Sequence, residues 1–350
     1  MRKHILLAAF VLSLNFANAD GYGSLGSYNG FINSIAISGD YIYAGTRNSV
    51  ILSTNLGKTW SIINYGLPDK ANVRAMAICK DYVYAGTDEN GVFLSTINEN
   101  RWESINNGLS NKNLLSLAVN DTDVFAGTDG GGIFLSHNNG NNWTAINNGL
   151  PKKFSVTCFA FNGTSIFAGG YEGVFVSVDN GNSWSEASYG LPNTYIYALA
   201  VSGKDIYAGT YSGIFKSRDN GKNWYEMNDG LLNNYITSLA TRGNNIFAGT
   251  AGGGVFLSTN NGGSWREVNN GLTHPIIHSL AVSGTYIFAG TYGAGVYVSD
   301  NNGNLWTGIN EETNVKPLKP HSDKAEIVTY ILLEVAFDIL LIVLGYNYYY

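Results

Sequence analysis

The chain has 350 residues, a formal net charge of -6 and only 13% charged residues. The acidic balance excludes a protein that grips nucleic acid through its phosphates, which needs a concentrated basic face. Asn, Gly, Ser, Thr and Tyr carry the polarity instead, a composition suited to binding through hydrogen bonds and aromatic contacts rather than ion pairs.

In chain order, the first element is MRKHILLAAFVLSLNFANAD, with Arg2, Lys3 and His4, an apolar run over 5–16, and Ala17 and Ala19 in A-x-A register. This pattern predicts a secretory signal peptide over residues 1–19, too short for a permanent span and cleaved before Asp20. The mature chain is therefore expected to be exported. Loss of Arg2 and Lys3 lowers the basic count from 20 to 18 against 26 acidic residues, so the net charge moves from -6 to -8.

Next comes a repeat. The seven tryptophans, Trp60, Trp102, Trp143, Trp184, Trp224, Trp265 and Trp306, are spaced by 42, 41, 41, 40, 41 and 41 residues. Each ends an octapeptide: STNLGKTW, STINENRW, SHNNGNNW, SVDNGNSW, SRDNGKNW, STNNGGSW and SDNNGNLW. A second marker, aromatic-A-G-T, recurs six times from residue 43 onward, with FAGG at 167–170 in the fourth repeat. Within the repeat at 236–272, short β-branched and aromatic runs alternate with Gly, Asn and Ser turns. They predict strand A over 236–240, B over 245–250, C over 255–259 and D over 264–268. Four antiparallel strands every 41 residues or so predict an all-β fold, a seven-bladed β-propeller over 20–310.

The octapeptide is then the C to D hairpin. Its third residue, Asp or Asn, is expected to bond its own backbone two residues on, and its fifth, Gly, to accept positive φ. The tryptophan is expected to bury roughly 150–250 Å² against the neighbouring layer. The motif S-x-[DN]-x-G-x-x-W resembles the Asp-box, or BNR repeat, of propellers in sialidases, sortilin-type receptors, some glycoside hydrolases and photosystem II assembly factors. Asp179 and Asp219 keep the aspartate, and the second copy has lost its turn chemistry at Ile97 and Glu99. The boxes lack the acidic ligands and bidentate Glu of a calcium loop, so they are read as scaffold.

Alternating strand direction puts the boxes on one face and the D to A and B to C loops on the other. Residues that differ among the repeats are the freest to carry function, and they cluster in those loops. Near the start of strand A the residue changes through Asn33, Arg74, Leu115, Thr157, Tyr197, Thr237 and His278. The B to C loops contribute Arg47, Asp88 with Glu89, Asp129, Tyr171 with Glu172, Tyr211 and Tyr292. The candidate ligand-binding set is Arg47, Arg74, Asp88, Asp129, Tyr171, Tyr197, Tyr211, His278 and Tyr292, expected to ring the mouth of a central channel.

The sialidase activity implied by one branch of the resemblance needs three arginines around a substrate carboxylate, and only Arg47 and Arg74 fall on the working face. Another glycosidase would need two carboxyl groups about 5–5.5 Å or 6.5–9.5 Å apart, for which Asp88, Asp129 and Glu172 are the weaker catalytic alternative. His274 and His278 have no Ser or Cys partner at triad spacing, and no P-loop, dinucleotide fingerprint or zinc spacing occurs, so neither cofactor nor metal is expected. The reading is a non-catalytic binding or scaffold propeller for a protein or glycan ligand, with an exported carbohydrate-active enzyme as the alternative. Cys79 and Cys158 occupy different positions of non-neighbouring repeats and are expected as separate, buried thiols.

The chain ends with a polar linker over 311–325 and a hydrophobic tail over 326–350. Residues 327–344 include 13 Ile, Leu, Val or Phe, but also Glu334 and Asp338, and their summed insertion energy is near zero. Lys316, Lys319 and Lys324 stand on the wrong side for a spanning helix of an exported domain. Membrane anchoring and an amphipathic helix docked on a partner or membrane surface both stay open.

Overall fold

A computed structural model describes residues 30–120, 123–192 and 195–309. The segments expected to be a signal peptide, a linker and a hydrophobic tail lie outside the described residues. Seven four-stranded antiparallel sheets form a propeller, each sheet built from four consecutive strands. Blade 1 holds β1 (Ile32–Ser38), β2 (Tyr41–Thr46), β3 (Val50–Ser53) and β4 (Ser61–Ile62). Blade 2 holds β5 (Val73–Cys79), β6 (Tyr82–Thr87), β7 (Gly91–Thr96) and β8 (Glu103–Ser104). Blade 3 holds β9 (Leu114–Asn120), β10 (Asp123–Thr128), β11 (Gly132–Ser136) and β12 (Thr144–Ala145). Blade 4 holds β13 (Val156–Asn162), β14 (Ser165–Gly170), β15 (Gly173–Ser177) and β16 (Ser185–Glu186). Blade 5 holds β17 (Ile196–Ser202), β18 (Asp205–Thr210), β19 (Gly213–Ser217) and β20 (Tyr225–Glu226). Blade 6 holds β21 (Ile236–Arg242), β22 (Asn245–Thr250), β23 (Val255–Ser258) and β24 (Arg266–Glu267). Blade 7 holds β25 (Ile277–Ser283), β26 (Tyr286–Thr291), β27 (Val296–Ser299) and β28 (Thr307–Gly308). The first strand of each blade touches the first strand of the next all the way round, and β25 against β1 completes the circle.

The core is divided into seven apolar clusters, each straddling the seam between two blades. The aromatic-A-G-T marker shows why. Tyr43, Tyr84, Phe125, Phe167, Tyr207, Phe247 and Phe288 are fully buried at its first position. At the third, the next blade's strand A packs against bare backbone: a Cβ on Gly209 would stand 2.6 Å from Ile236 Cγ2. The closing threonine ties the B to C turn, as when Thr250 Oγ1 donates to Gly254 O at 2.9 Å. Blade 4 departs from the marker for a steric reason: a Cβ at Gly170 would meet Ser155 O at 2.1 Å and Phe154 at 2.6 Å.

Each tryptophan is 2–8% exposed and reaches across a seam. The Nε1–H of Trp102, Trp143, Trp184, Trp224, Trp265 and Trp306 donates to the carbonyl of Ile63, Ile105, Ile146, Ala187, Met227 and Val268 of the preceding blade, at 2.6–2.8 Å. Trp60 donates to Ile309 O and so closes the ring with the same bond. The outer strand is shorter than expected, two residues at 266–267 rather than 264–268. The reason is that Trp265 N donates to Asp229 O of the preceding repeat and leaves the ladder.

The octapeptide is a turn, with one correction to its bonding. In SVDNGNSW, Ser177 Oγ accepts from Gly181 N at 2.8 Å and donates to Asp179 Oδ1 at 2.8 Å. Asp179 Oδ1 accepts from Ser183 N at 2.9 Å, four residues on rather than two. Positive φ at both Asn180 (57°) and Gly181 (86°) curls the chain back far enough to bring that amide round. Hydrogen bonds from Ser183 hold the Asp179 carboxyl below its usual range, and those from Asn223 do the same for Asp219. An Asn Oδ1 makes the same bond in the other boxes, at 2.9 Å to Thr59 N, Asn142 N, Ser264 N and Leu305 N, so loss of the aspartate does not open the turn. In the second copy Ser95 Oγ points instead at Thr96 O, 3.3 Å away. Neither cysteine is in a disulfide, and burial pushes the Cys158 thiol up to about 12.

Candidate functional site

The variable residues of strand A separate into two groups. Three of them fasten the seam to the next blade. Asn33 Nδ2 donates to Val73 O at 3.0 Å, and Thr157 Oγ1 and Thr237 Oγ1 donate to Ile196 O and Ile277 O. In blade 3 the neighbouring Ser116 does this work, to Val156 O at 2.7 Å. Arg74, Tyr197 and His278 turn instead to partners on the loop face, Asp88, Tyr235 and Tyr292.

His278 belongs to a cluster that spans the closing seam. Its ring stacks on Tyr292 with centroids 5.1 Å apart, and Tyr292 meets Phe31 of blade 1 edge to face at 4.4 Å. The Arg47 guanidinium lies 4.1 Å above the Phe31 ring, and its Nη2 donates to Tyr292 Oη at 3.0 Å. Burial, followed by the charges of Arg47, Arg74 and His274, pushes the His278 imidazole down to about 4. Burial also lowers His274, whose Nδ1 accepts from Ile276 N at 3.3 Å.

The acidic residues fall in blades 2 to 4. Asp88 takes Arg74 Nε on Oδ1 at 2.8 Å and Asn72 Nδ2 on Oδ2 at 2.5 Å. Asn72 in turn accepts from Asn33 Nδ2 at 2.9 Å. Asp129 takes Ser155 Oγ at 2.6 Å on one oxygen and Asn113 Nδ2 at 3.3 Å on the other. Glu172 is raised from its ordinary value, first by desolvation and further by the charge of Asp129. The three carboxyl groups named as the catalytic alternative thus sit in a continuous arc, two of them already engaged by donors.

Tyrosines take over in blades 4 to 6. Tyr171 lies 4.7 Å from Tyr195, Tyr195 lies 6.4 Å from Tyr197, and Tyr197 lies 5.1 Å from Tyr235, whose hydroxyl donates to Tyr197 Oη at 3.2 Å. Desolvation raises the Tyr197 phenol far above its ordinary value. Tyr211 stands in the next B to C loop and is 52% exposed.

The sequence reading missed Phe31, Asn72, Asn113, Ser155, Tyr195 and Tyr235. They occupy one position, just before the first buried aliphatic of strand A, and Ile276 fills it in blade 7. The signal was present two residues ahead of the variable position already noted, in the same repeat comparison. Across four seams the B to C residue of one blade touches this position in the next: Asp129 with Ser155, Tyr171 with Tyr195, Ala251 with Ile276 and Tyr292 with Phe31. Among the described residues no group of three or more His, Cys, Asp or Glu could hold a metal ion, and no helix is long and apolar enough to cross a membrane. A cleft of about 290 Å³ lies elsewhere, between the outer strands of blades 1 and 2, lined by Leu52, Thr54, Ser61, Asn98 and Glu99.

Fold and face together define a seven-bladed propeller whose loop rim carries a cationic and aromatic sector, an acidic sector and a tyrosine sector. Residues 31–226, more than half of the chain, match the DUF6242 beta propeller domain, and the chain belongs to that family. No curated protein matches it in sequence. Among solved structures it is similar to the extracellular domain of the one-component system BT4673 from B. thetaiotaomicron, at 19% identity and a TM-score of 0.66 over 80% of this chain and 40% of that one. It is also similar to a GH74 xyloglucanase from Xanthomonas campestris, at 15% identity and a TM-score of 0.69 over 83% of this chain and 56% of that one. A third is YCF48 bound to D1 peptide, at 14% identity and a TM-score of 0.60 over 75% of this chain and 91% of that one. The chain therefore spans about half the length, or less, of the first two, and at these identities the likeness speaks for the fold alone.

Proposed function

We propose that this protein is an exported, non-catalytic binding propeller of the Asp-box type that recognises a protein or glycan ligand through the rim formed by its D to A and B to C loops. The observation that carries this reading is the state of the carboxylates. Both oxygens of Asp88 accept from Arg74 and Asn72, and both of Asp129 from Ser155 and Asn113, so each carboxyl is already engaged by the protein's own donors. The same rim presents aromatic rings and Arg47 outward, groups that recur at binding hot spots. Propellers similar in fold include an extracellular domain and a peptide-bound protein, which agrees with export and with binding.

One observation favours a carbohydrate-active enzyme as the second reading: the Glu172 carboxyl is raised from its ordinary value, by desolvation first and also by the charge of Asp129, the direction a general acid requires. The two readings separate in one set of assays. Affinity capture from native envelope material with the full chain should recover a ligand that a variant with exchanged D to A loops does not. Hydrolysis of sialosides and of plant or bacterial glucans should be absent. Turnover that disappears in Asp129→Asn and Glu172→Gln would replace the binding reading with the enzymatic one.

A further inference from the structure

The tyrosine sector is not something the fold requires. At the B to C position of Tyr171 and Tyr211, the other blades carry Arg47, Asp88, Asp129, Ala251 and Tyr292. At the position of Tyr195 and Tyr235 they carry Phe31, Asn72, Asn113, Ser155 and Ile276. Propellers close equally well with small or charged residues there, yet blades 4 to 6 supply four phenols in a continuous row, with ring centroids 4.7, 6.4 and 5.1 Å apart. Tyr171 and Tyr195 are 41% and 38% exposed, and Tyr211 is 52% exposed one blade further on. A fold that only needed to fill a seam would have buried these rings, as it buries Tyr207 in the same blade.

The loops of this sector, at 171–172, 187–195, 211–212 and 228–235, contain no Lys, Arg or His, and their only acids are Glu172 and Asp229. These loops hold no cation to read an acidic ligand, the nearest lysines in sequence being Lys152 and Lys153 in the loop before β13, and two separated acids are too few to read a basic one. A protein partner is usually gripped by an anchor residue sunk in a pocket, whereas here the rings form an open row. A phenol offers an apolar face and a polar tip together. A row of them matches a ligand that alternates apolar C–H faces with uncharged hydroxyls along an extended chain.

The geometry points to the tyrosine row Tyr171–Tyr195–Tyr197–Tyr235, with Tyr211 beside it, as a stacking track for a neutral polysaccharide chain. This rests on the proposed binding role of the loop rim and adds the ligand class and the blades that take it. Sugar rings lie on the exposed phenol faces of Tyr171, Tyr195 and Tyr211, while the hydroxyl-bonded pair Tyr197 and Tyr235 fixes the inner edge of the track.

The test is affinity electrophoresis of the full chain in native gels containing hydroxyethylcellulose, galactomannan, xylan or polygalacturonate. Retardation is expected with at least one neutral polymer and not with polygalacturonate. Tyr171→Ala with Tyr211→Ala should weaken it at least tenfold, because two exposed stacking faces are lost, Tyr171→Ala also removing the Tyr195 contact across the seam of blades 4 and 5. Tyr225→Ala, which removes a 63% exposed ring from the outermost strand of blade 5, should leave it unchanged. Equal melting temperatures of the variants establish that all are folded. The inference is overturned if no neutral polymer retards the chain, or if the double variant is retarded as strongly as the parent. Retention by polygalacturonate that vanishes in Arg47→Ala also overturns it while leaving the rim as the binding face. Loss of envelope capture in the loop-exchange variant with no retardation in any gel does the same; failure of the loop exchange to affect capture removes the rim reading itself.

Discussion

His278 shows what one side chain can reveal about a face. It sits at a position where threonine or asparagine in three other blades fastens the seam, but an imidazole there packs on Tyr292 and lies near Arg47, Arg74 and His274. Burial among these cations favours the neutral ring and pushes its pKa down to about 4, against about 6.5 in an unfolded chain. Between those values the unfolded state binds more protons than the folded one, so stability rises with pH across this window. The contribution is fully present above about pH 6.5 and is lost as the pH falls toward 4, on the order of 2–3 kcal/mol. Thermal melting at pH 7.5 and 4.5 should show a larger fall for the parent than for His278→Gln, which has no titrating ring. Equal falls would mean that the imidazole is solvated in the folded protein. The residue was legible in sequence as a variable position, but its burial was not, because the Tyr292 ring it stacks on is met by Phe31 and Arg47 from the other end of the chain.

At the scale of the element, the hairpin was the most readable part of the molecule because its chemistry is local. Serine, Asp or Asn, and glycine lie within five residues of each other, and the turn they make depends on little else. What the sequence reading misplaced, the bond four residues on and the short outer strand, depends on a second positive φ and on an amide drawn to the preceding repeat. The worn second box supplies an internal control. Ser177→Ala removes an acceptor for Gly181 N and a donor to Asp179, and should cost roughly 1–2 kcal/mol by leaving a buried amide without its partner. Ser95→Ala breaks only the contact to Thr96 O and should change stability by less than about 0.5 kcal/mol. Denaturant midpoints of the two variants test the difference, and similar losses would show that the serines act by packing rather than by closing turns. The site was less legible than the hairpin because its pairs, such as Tyr171 with Tyr195 and Asp129 with Ser155, form between a loop of one repeat and the next strand of another. A single column of the repeat does not reveal these pairs, because each is made by two columns together.

Across the whole molecule, seven seam clusters replace one central core, so stability is a sum of near-equal interfaces arranged in a circle. Six seams are also crossed by the peptide chain. Among the described residues the seventh, between blades 7 and 1, is held by non-covalent contacts, among them the Trp60 indole on Ile309 O, Gly30 O accepting from Gly293 N and Gly295 N at 3.1 and 2.9 Å, Arg47 on Tyr292 Oη, and Phe31 against Tyr292. Among the described residues no strand is exchanged to lock it, each blade being completed within its own repeat. When a linked seam opens, the D to A loop keeps its two faces close, whereas the faces of the closing seam separate with the full freedom of the ring, which makes reclosure entropically harder. The same chemical deletion should therefore have unequal effects at the two kinds of seam. Trp184→Phe removes one indole bond and orphans Ile146 O, at a cost of about 1–3 kcal/mol. Trp60→Phe removes the equivalent bond where nothing covalent backs it, and should lower the melting temperature by more. It should also speed amide exchange in β1 and β25–β27 ahead of β13–β15. If Trp184→Phe proves as harmful as Trp60→Phe, and exchange rises evenly round the ring, the blades unfold as one unit and the closing seam is no weaker than its six neighbours.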